Sequence, residues 1–257
     1  MIATVDIGNS NIAIGLFEGE SLTHHWRVTT RRNMTPDECE ITLAALLRRD
    51  EVQSSAVDSC VMSSVVPSIT QSFLAAGEAL FRRKPLLVSP SVDGGMDFAI
   101  DNPRELGSDL FANAVAGYAR YGGPCIIVDF GTALSVTSVS DSGTIMGVAI
   151  APGMNTALAA LSGNAAQLPT VPLELPGTVI GTNTVHSIQA GIMHGYRGLV
   201  DALVGGVRAE LGSAAGVIAT GGQSSVLGPH CECIDTIDPW LTLDGLRRIC
   251  LSRRSER

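Results

Sequence analysis

Two short apolar stretches end in the same small set of polar residues. Residues 2–6 read Ile-Ala-Thr-Val-Asp and run into Ile-Gly-Asn-Ser, and residues 126–129 read Ile-Ile-Val-Asp and run into Phe-Gly-Thr-Ala. Each pattern is a strand followed by Asp-x-Gly and short polar residues. A glycine there lets the backbone turn tightly, so that successive N–H groups point at phosphate oxygens. Short polar side chains add donors, and an aspartate at the strand end holds a hydrated Mg²⁺ that bridges phosphates. The candidate phosphate and metal ligands are therefore Asp6, Gly8, Asn9, Ser10 and Asn11 in the first copy, and Asp129, Gly131 and Thr132 in the second. A third turn, Thr220-Gly221-Gly222, follows another strand-like run and suits passage beneath a nucleoside. One Asp-x-Gly turn is common in ordinary hairpins. Two copies nearly half a chain apart point to a duplicated unit.

The elements needed to position these turns are legible on either side. After the first copy, Thr35-Pro36-Asp37-Glu38 has capping-box spacing with proline at the first helical position, and Ile41, Leu43, Leu46 and Leu47 follow. Residues 57–66 read as a strand, Ser68 as the cap of a helix to about Arg83, and Leu86 to Val88 as a short strand. Residues 89–104 read as loop, and a helix is expected from Ser108 to Tyr121. In the second half, Pro152-Gly153 precedes a helix to about Leu161, Thr184 to Leu211 form one long helix, and Val217 to Ala219 a strand. Leu241 to Ser252 close the chain as a helix. Alternating strands and helices of this kind build an α/β fold, with domains expected at residues 1–117 and 118–257.

Composition narrows the chemistry. The chain has 257 residues, 45 % hydrophobic and only 16 % charged, with a net charge of −8. That balance excludes disorder and argues against nucleic acid or an anionic membrane as partner. Lys84 is the only lysine, in Phe-Arg-Arg-Lys-Pro with no glycine loop before it. A Walker A loop, a protein-kinase lysine and Schiff-base chemistry are thereby excluded. The six cysteines form no CxxC pair; Cys231 and Cys233 flank Glu232 in an expected strand and read as ordinary thiols of a cytoplasmic protein. His186 and His194, eight apart on the long helix, read as structural. The N-terminus lacks a basic start and long apolar stretch, so no signal peptide is expected.

The three glycine turns together resemble the actin-like ATPase superfamily. Within it, the order of motifs is similar to type III pantothenate kinases: Asp6-Ile-Gly-Asn-Ser-Asn11, Ser63-Ser-Val-Val-Pro67, Asp101-Asn-Pro-Arg-Glu-Leu-Gly-Ser-Asp109, Asn113-Ala-Val-Ala116, Asp129-Phe-Gly-Thr-Ala133, Ala151-Pro-Gly153, Gln167-Leu-Pro169, Gly181-Thr-Asn-Thr184, Gln189-Ala-Gly191, Thr220-Gly-Gly222 and Leu241-Thr-Leu-Asp-Gly-Leu246. The resemblance implies two duplicated ribonuclease H-like (actin-like ATPase) domains with an interdomain ATP cleft. It implies ATP-dependent phosphorylation of the pantothenate hydroxyl, the first step toward coenzyme A, with Mg²⁺ at Asp6 and Asp129. Asp109 would be the general base, ionised by the helix dipole, and Gly107, Ser108, Asp109 and Thr184 would bind substrate. A homodimer whose partner chain completes the substrate pocket is also implied, as is a monovalent cation, K⁺ or NH₄⁺.

Several positions depart from the family pattern. Leu110 replaces the arginine after the motif aspartate, Ile100 a tyrosine, Ala165 a threonine, and Thr182 a basic residue. Thr137 stands where an aspartate that could serve the monovalent cation is expected, and Gly147-Val148 replaces Gly-Gly. The phosphate groups are kept, whereas the carboxylate-recognising cation is absent; Arg104 and Arg197 are candidate replacements. Beside pantothenate phosphorylation, two readings stay open: a kinase of the same fold for another small hydroxyl compound, and a catalytically weak ATP-binding regulatory homologue.

Overall fold

The computed structural model describes residues 1–90, 95–165, 168–212 and 215–255. Gln167 of the Gln-Leu-Pro motif therefore lies outside the described residues. The chain divides into two compact units: residues 1–96, 101–116 and 241–257, and residues 97–100 with 117–240.

The first unit opens on β1 (Ile2–Ile7), β2 (Asn11–Glu18) and β3 (Ser21–Thr29), an antiparallel meander, followed by α1 (Pro36–Arg49). The capping box at Thr35 and Glu38 is formed as its spacing requires. Next come β4 (Ser59–Ser64), α2 (Pro67–Phe81) and β5 (Leu86–Leu87). The cap of α2 is Val66 rather than Ser68, because Pro67, which has no N–H to leave unpaired, takes the first helical position. The five strands lie in the order β3-β2-β1-β4-β5, with β4 parallel to β1 and β5 parallel to β4. β1 is buried along nearly its whole length, as suits a central strand covered on both faces. Ala3, Val5 and Ile7 pack with Leu43 and Leu47 of α1 and Ile69 and Phe73 of α2.

The second unit repeats that plan. It contains β6 (Asp97–Phe98), and, after α3 (Ser108–Tyr121), the meander β7 (Cys125–Phe130), β8 (Ala133–Val139) and β9 (Thr144–Pro152). Then follow α4 (Met154–Asn164), α5 (Thr184–Leu211), β10 (Gly216–Thr220), α6 (Ser224–Leu227) and β11 (Thr236–Ile237). The sheet order is β11-β10-β7-β8-β9-β6, so its first five strands match the first sheet one for one and β6 is an added edge. Ile126, Val128 and Phe130 of β7 share a core with Met193, Val200 and Val204 of α5.

Three expectations are corrected by the structure. The closing helix, α7 (Leu241–Ser255), expected with residues 118–257, packs on β1, β2 and β4 and belongs to the first unit. The reason is burial: Leu241, Leu243, Leu246 and Ile249 are all at most 1 % exposed, and they need a sheet face to cover. Residues 97–100 go the other way, because β6 pairs with β9. Cys231 and Cys233 lie not in a strand but in a turn after α6. Burial, with the Asp201 carboxylate nearby, pushes both thiols up to about 12, so neither is a reactive thiolate at neutral pH. His186 and His194 are structural, each with its Nε2 on a backbone oxygen of the segment before α5, Thr178 and Pro176.

Candidate active site

In the first unit, Asp6 is the penultimate residue of β1 and Ser63 stands opposite it on the parallel strand β4. The fully buried Ser63 hydroxyl donates to Asp6 Oδ1 at 2.6 Å. That is the short length of an O–H···O⁻ bond. Beyond β1 the chain turns through Gly8, Asn9 and Ser10, closed by the Gly8 N–H on the Asn11 carbonyl at 3.1 Å. Thr30 pins the turn from the side. Its N–H donates to Ser10 O and its hydroxyl to Gly8 O. Asn9, Ser10 and Asn11 are exposed, and Asn9 Oδ1 accepts from Arg32.

The next residue of β4 holds a second group. The Ser64 N–H donates to Ser108 Oγ at 3.2 Å, and that hydroxyl donates back to Ser64 O at 3.4 Å. Ser108 is the first residue of α3, so the clamp fixes Asp109 at the carboxyl end of β4. This is where open α/β sheets place their ligands. Asp109 Oδ1 accepts from the Leu110 N–H at 2.8 Å. Gly107 is needed for this arrangement, since a Cβ there would lie 2.4 Å from Asp109 Oδ1. The expectation that the helix end holds this carboxyl low is overturned. Burial pushes it above the ordinary carboxylate range and outweighs the opposing backbone N–H bonds from Leu110 and Asp109 itself.

The second unit places Asp129 equivalently, next to last on β7, with Thr220 of the parallel strand β10 opposite. Its turn is one residue shorter. Ile7 pairs with Ile12, but Phe130 pairs with Leu134. The Gly131 N–H closes it on Ala133 O at 3.1 Å. The Thr132 carbonyl accepts from the Gly153 N–H and the Thr156 hydroxyl, which docks the start of α4 on the turn. Gly221 has φ +89°, and a Cβ there would fall 2.3 Å from Asp129 Oδ1. The third glycine turn thus passes directly over the second aspartate. Gly222 beside it is exposed. Thr220 is completely buried, and its hydroxyl has no hydrogen-bond partner among the described residues.

Thr184 is elsewhere in the second unit, exposed at the first position of α5 behind the Asn183 cap. With Leu161, Leu168, Ser187, Ile188 and Ile192 it lines an apolar cavity of about 470 Å³. The structure therefore groups Asp6 with Ser108-Asp109 at the strand ends of the first unit and Asp129 with Gly221 at the strand ends of the second, where Thr184 lines a separate cavity. Sequence reading missed Ser63 and Ser64. Their signal was present as two hydroxyl residues closing a strand just before Val-Val-Pro.

A model of type III pantothenate kinase matches residues 2–205. The type III pantothenate kinase of Roseiflexus castenholzii is 45 % identical over 249 residues, covering 97 % of this chain and 98 % of the relative. That of Moorella thermoacetica is 43 % identical over 247 residues, covering 96 % and 97 %. The chain belongs to the type III pantothenate kinase family. Solved structures with the same fold include the ROK family glucokinase of Streptomyces griseus in complex with glucose and AMPPNP (TM-score 0.53, 15 % identity, covering 98 % of this chain and 99 % of that one). Another is the activator of 2-hydroxyisocaproyl-CoA dehydratase from Clostridium difficile with bound ADPNP (TM-score 0.54, 12 % identity, 99 % and 96 %). At such identities the likeness shows the fold alone, two duplicated actin-like domains.

Against the pantothenate kinase pattern, the departing residues fall in varied settings. Leu110 and Ile100 are half-buried, Ala165 closes α4, and Thr182 is exposed before α5. Thr137 is buried on β8, with a hydroxyl that has no partner among the described residues. Of the candidate replacement cations, Arg104 is exposed and Arg197 is half-buried on α5 with its charge near Cys231.

Proposed function

We propose that this chain phosphorylates pantothenate from ATP, the first step toward coenzyme A. Family membership supports the reaction. The clamp of Ser108 on Ser64 is the observation that carries the site, because it fixes an aspartate beside the strand end that bears Asp6. The first unit has one strand-end aspartate and one glycine turn, and the second has one strand-end aspartate and two glycine turns, the groups that Mg-ATP requires. The residues fit that ligand: the strand-end carboxylates and the exposed short polar side chains of Asn9, Ser10 and Asn11 can ligate a hydrated cation and phosphates, and at Gly221 no side chain larger than hydrogen fits. Asp6 and Asp129 would hold Mg²⁺, which when bound neutralises charge on the phosphates.

Asp109 accepts the proton of the substrate hydroxyl as that oxygen forms its bond to the γ-phosphorus and the bond to ADP breaks. A carboxyl raised by burial is a better proton acceptor than an ordinary aspartate. Gly107 and Ser108 set its position, and Thr184 contributes a hydroxyl to the substrate. Positioning and electrostatics suffice for phosphoryl transfer, so a protein without an active-site lysine is chemically competent.

A homodimer fits this reading. Along α5, Gly191, Gly195, Gly198, Ala202 and Gly205 form one exposed stripe at helical spacing. Nearby in sequence, Val179 and Ile180 are 65 % and 82 % exposed. Small residues permit close helix approach, and large exposed apolar side chains favour burial by a second copy. A cytoplasmic setting agrees with six free cysteines. A requirement for K⁺ or NH₄⁺ would have to be met without a carboxylate at Thr137, and rates with and without K⁺ measure it.

The test is ADP release from Mg-ATP with and without pantothenate. Pantothenate-dependent release that is lost in Asp109→Asn supports the proposal. Turnover with another alcohol but not pantothenate, or nucleotide binding with no turnover, would replace it.

A further inference from the structure

The two strand-end aspartates sit in matching registers, yet only one is gripped by the hydroxyl opposite. Asp6 faces Ser63 across the parallel pair β1–β4, and Asp129 faces Thr220 across β7–β10. Ser63 donates to Asp6 Oδ1 at 2.6 Å. The buried Thr220 hydroxyl donates to nothing among the described residues. Register alone therefore does not make the bond.

We infer that Ser63 is a positioning residue that fixes the orientation of the Asp6 carboxylate for Mg-nucleotide. The inference rests on the kinase reading above. Three observations carry it. Ser63 is fully buried, so its hydroxyl has no water to compete for the proton it donates. The bond is short and its acceptor is a carboxyl oxygen, which makes it a strong, directional constraint on one carboxylate torsion. The adjacent residue, Ser64, clamps Ser108 through its backbone. The end of β4 thus sets two groups at once, Asp6 through a side chain and the start of α3 through the main chain. Loss of the Ser63 hydroxyl removes the first constraint and leaves the second, because Ser64 acts through its N–H and carbonyl.

The separating measurement is calorimetric binding of ADP to the full-length protein over a Mg²⁺ titration, for wild type and Ser63→Ala, with steady-state kinetics in parallel. The Mg²⁺ concentration for half-maximal ADP binding should rise about tenfold in Ser63→Ala, the loss expected for one charge-assisted hydrogen bond. The KM for pantothenate should stay within about twofold. Ser63→Cys, of similar size but a weak donor, should shift the Mg²⁺ dependence the same way and carries the test if the alanine variant does not fold. An unchanged Mg²⁺ dependence in a folded variant would overturn the inference. So would equal loss of Mg²⁺ response, pantothenate KM and thermal stability, which would mark a purely structural serine. A wild-type chain that binds Mg-ADP but does not turn over pantothenate refutes the kinase reading while leaving the Ser63 comparison readable; one that binds no nucleotide overturns both.

Discussion

Asp109 carries a conflict between stability and chemistry. Burial raises its carboxyl, so the folded state holds its proton more tightly than the unfolded chain does. Between the ordinary aspartate value and the raised one, folding stability therefore falls as pH rises. Above the ordinary aspartate value, burying this carboxyl is therefore a cost to the fold. Asp109→Asn keeps an oxygen to accept from the Leu110 N–H and removes that cost. The variant should lose at least about a hundredfold in kcat, the scale of a general base, while its Tm stays equal to wild type or rises. Calorimetry and ADP release on the same preparation check this. The acid limb of kcat/KM should lie above the ordinary carboxylate range, because the base is lost by protonation as pH falls through its raised value. A limb at the ordinary aspartate value would remove Asp109 from the role. Gly221→Ala belongs at this scale too. With φ +89° and the Asp129 carboxylate 2.3 Å from the added carbon, it should abolish nucleotide binding in a protein that still folds, as circular dichroism and calorimetric titration would show.

At the scale of elements, the decisive unit is a strand end with the helix anchored to it. β1 with β4, and β7 with β10, each bring an aspartate and a hydroxyl residue into register. α7 supports the first pair from the sheet face that α1 and α2 leave uncovered. Its Arg247 is 3 % exposed, holds Asp244 Oδ1 at 2.6 Å and lies over the Phe17 ring of β2. Arg247→Ala would strip one partner from a buried carboxylate, although Arg248 still reaches its other oxygen. The expected loss is about 3 kcal/mol of stability, read as a fall in the denaturation midpoint with the KM values unchanged. A cost below about 0.5 kcal/mol, typical of surface sites, would show that α7 is not held this way.

For the whole molecule, the question is whether one chain is enough. The small-residue stripe of α5 is open: a Cβ built at Gly191, Gly195, Gly198 or Gly205 meets nothing within 4 Å. If a second copy packs there, Gly195→Trp should yield monomers by light scattering and raise the KM for pantothenate more than that for ATP. Wild-type protein that is already monomeric at micromolar concentration would dismiss the dimer. The chain has no helix among its described residues long and apolar enough to cross a membrane.

Much of this was set by sequence. The duplicated Asp-x-Gly turns, the bounds of α3 and the full run of α5 could be read from residue types, because strand-end glycines, caps and helical periodicity are local signals. The order of motifs along the chain carries the family resemblance by itself. Other features depended on contacts between distant segments. That α7 crosses back to the first sheet follows from which face needs covering, and no local pattern encodes it. That Asp109 is raised rather than lowered depends on how much protein surrounds it. That the Ser63 hydroxyl bonds Asp6, whereas the Thr220 hydroxyl makes no bond to Asp129, is settled by ångström-scale placement across paired strands, and the sequence shows only a hydroxyl residue at both positions.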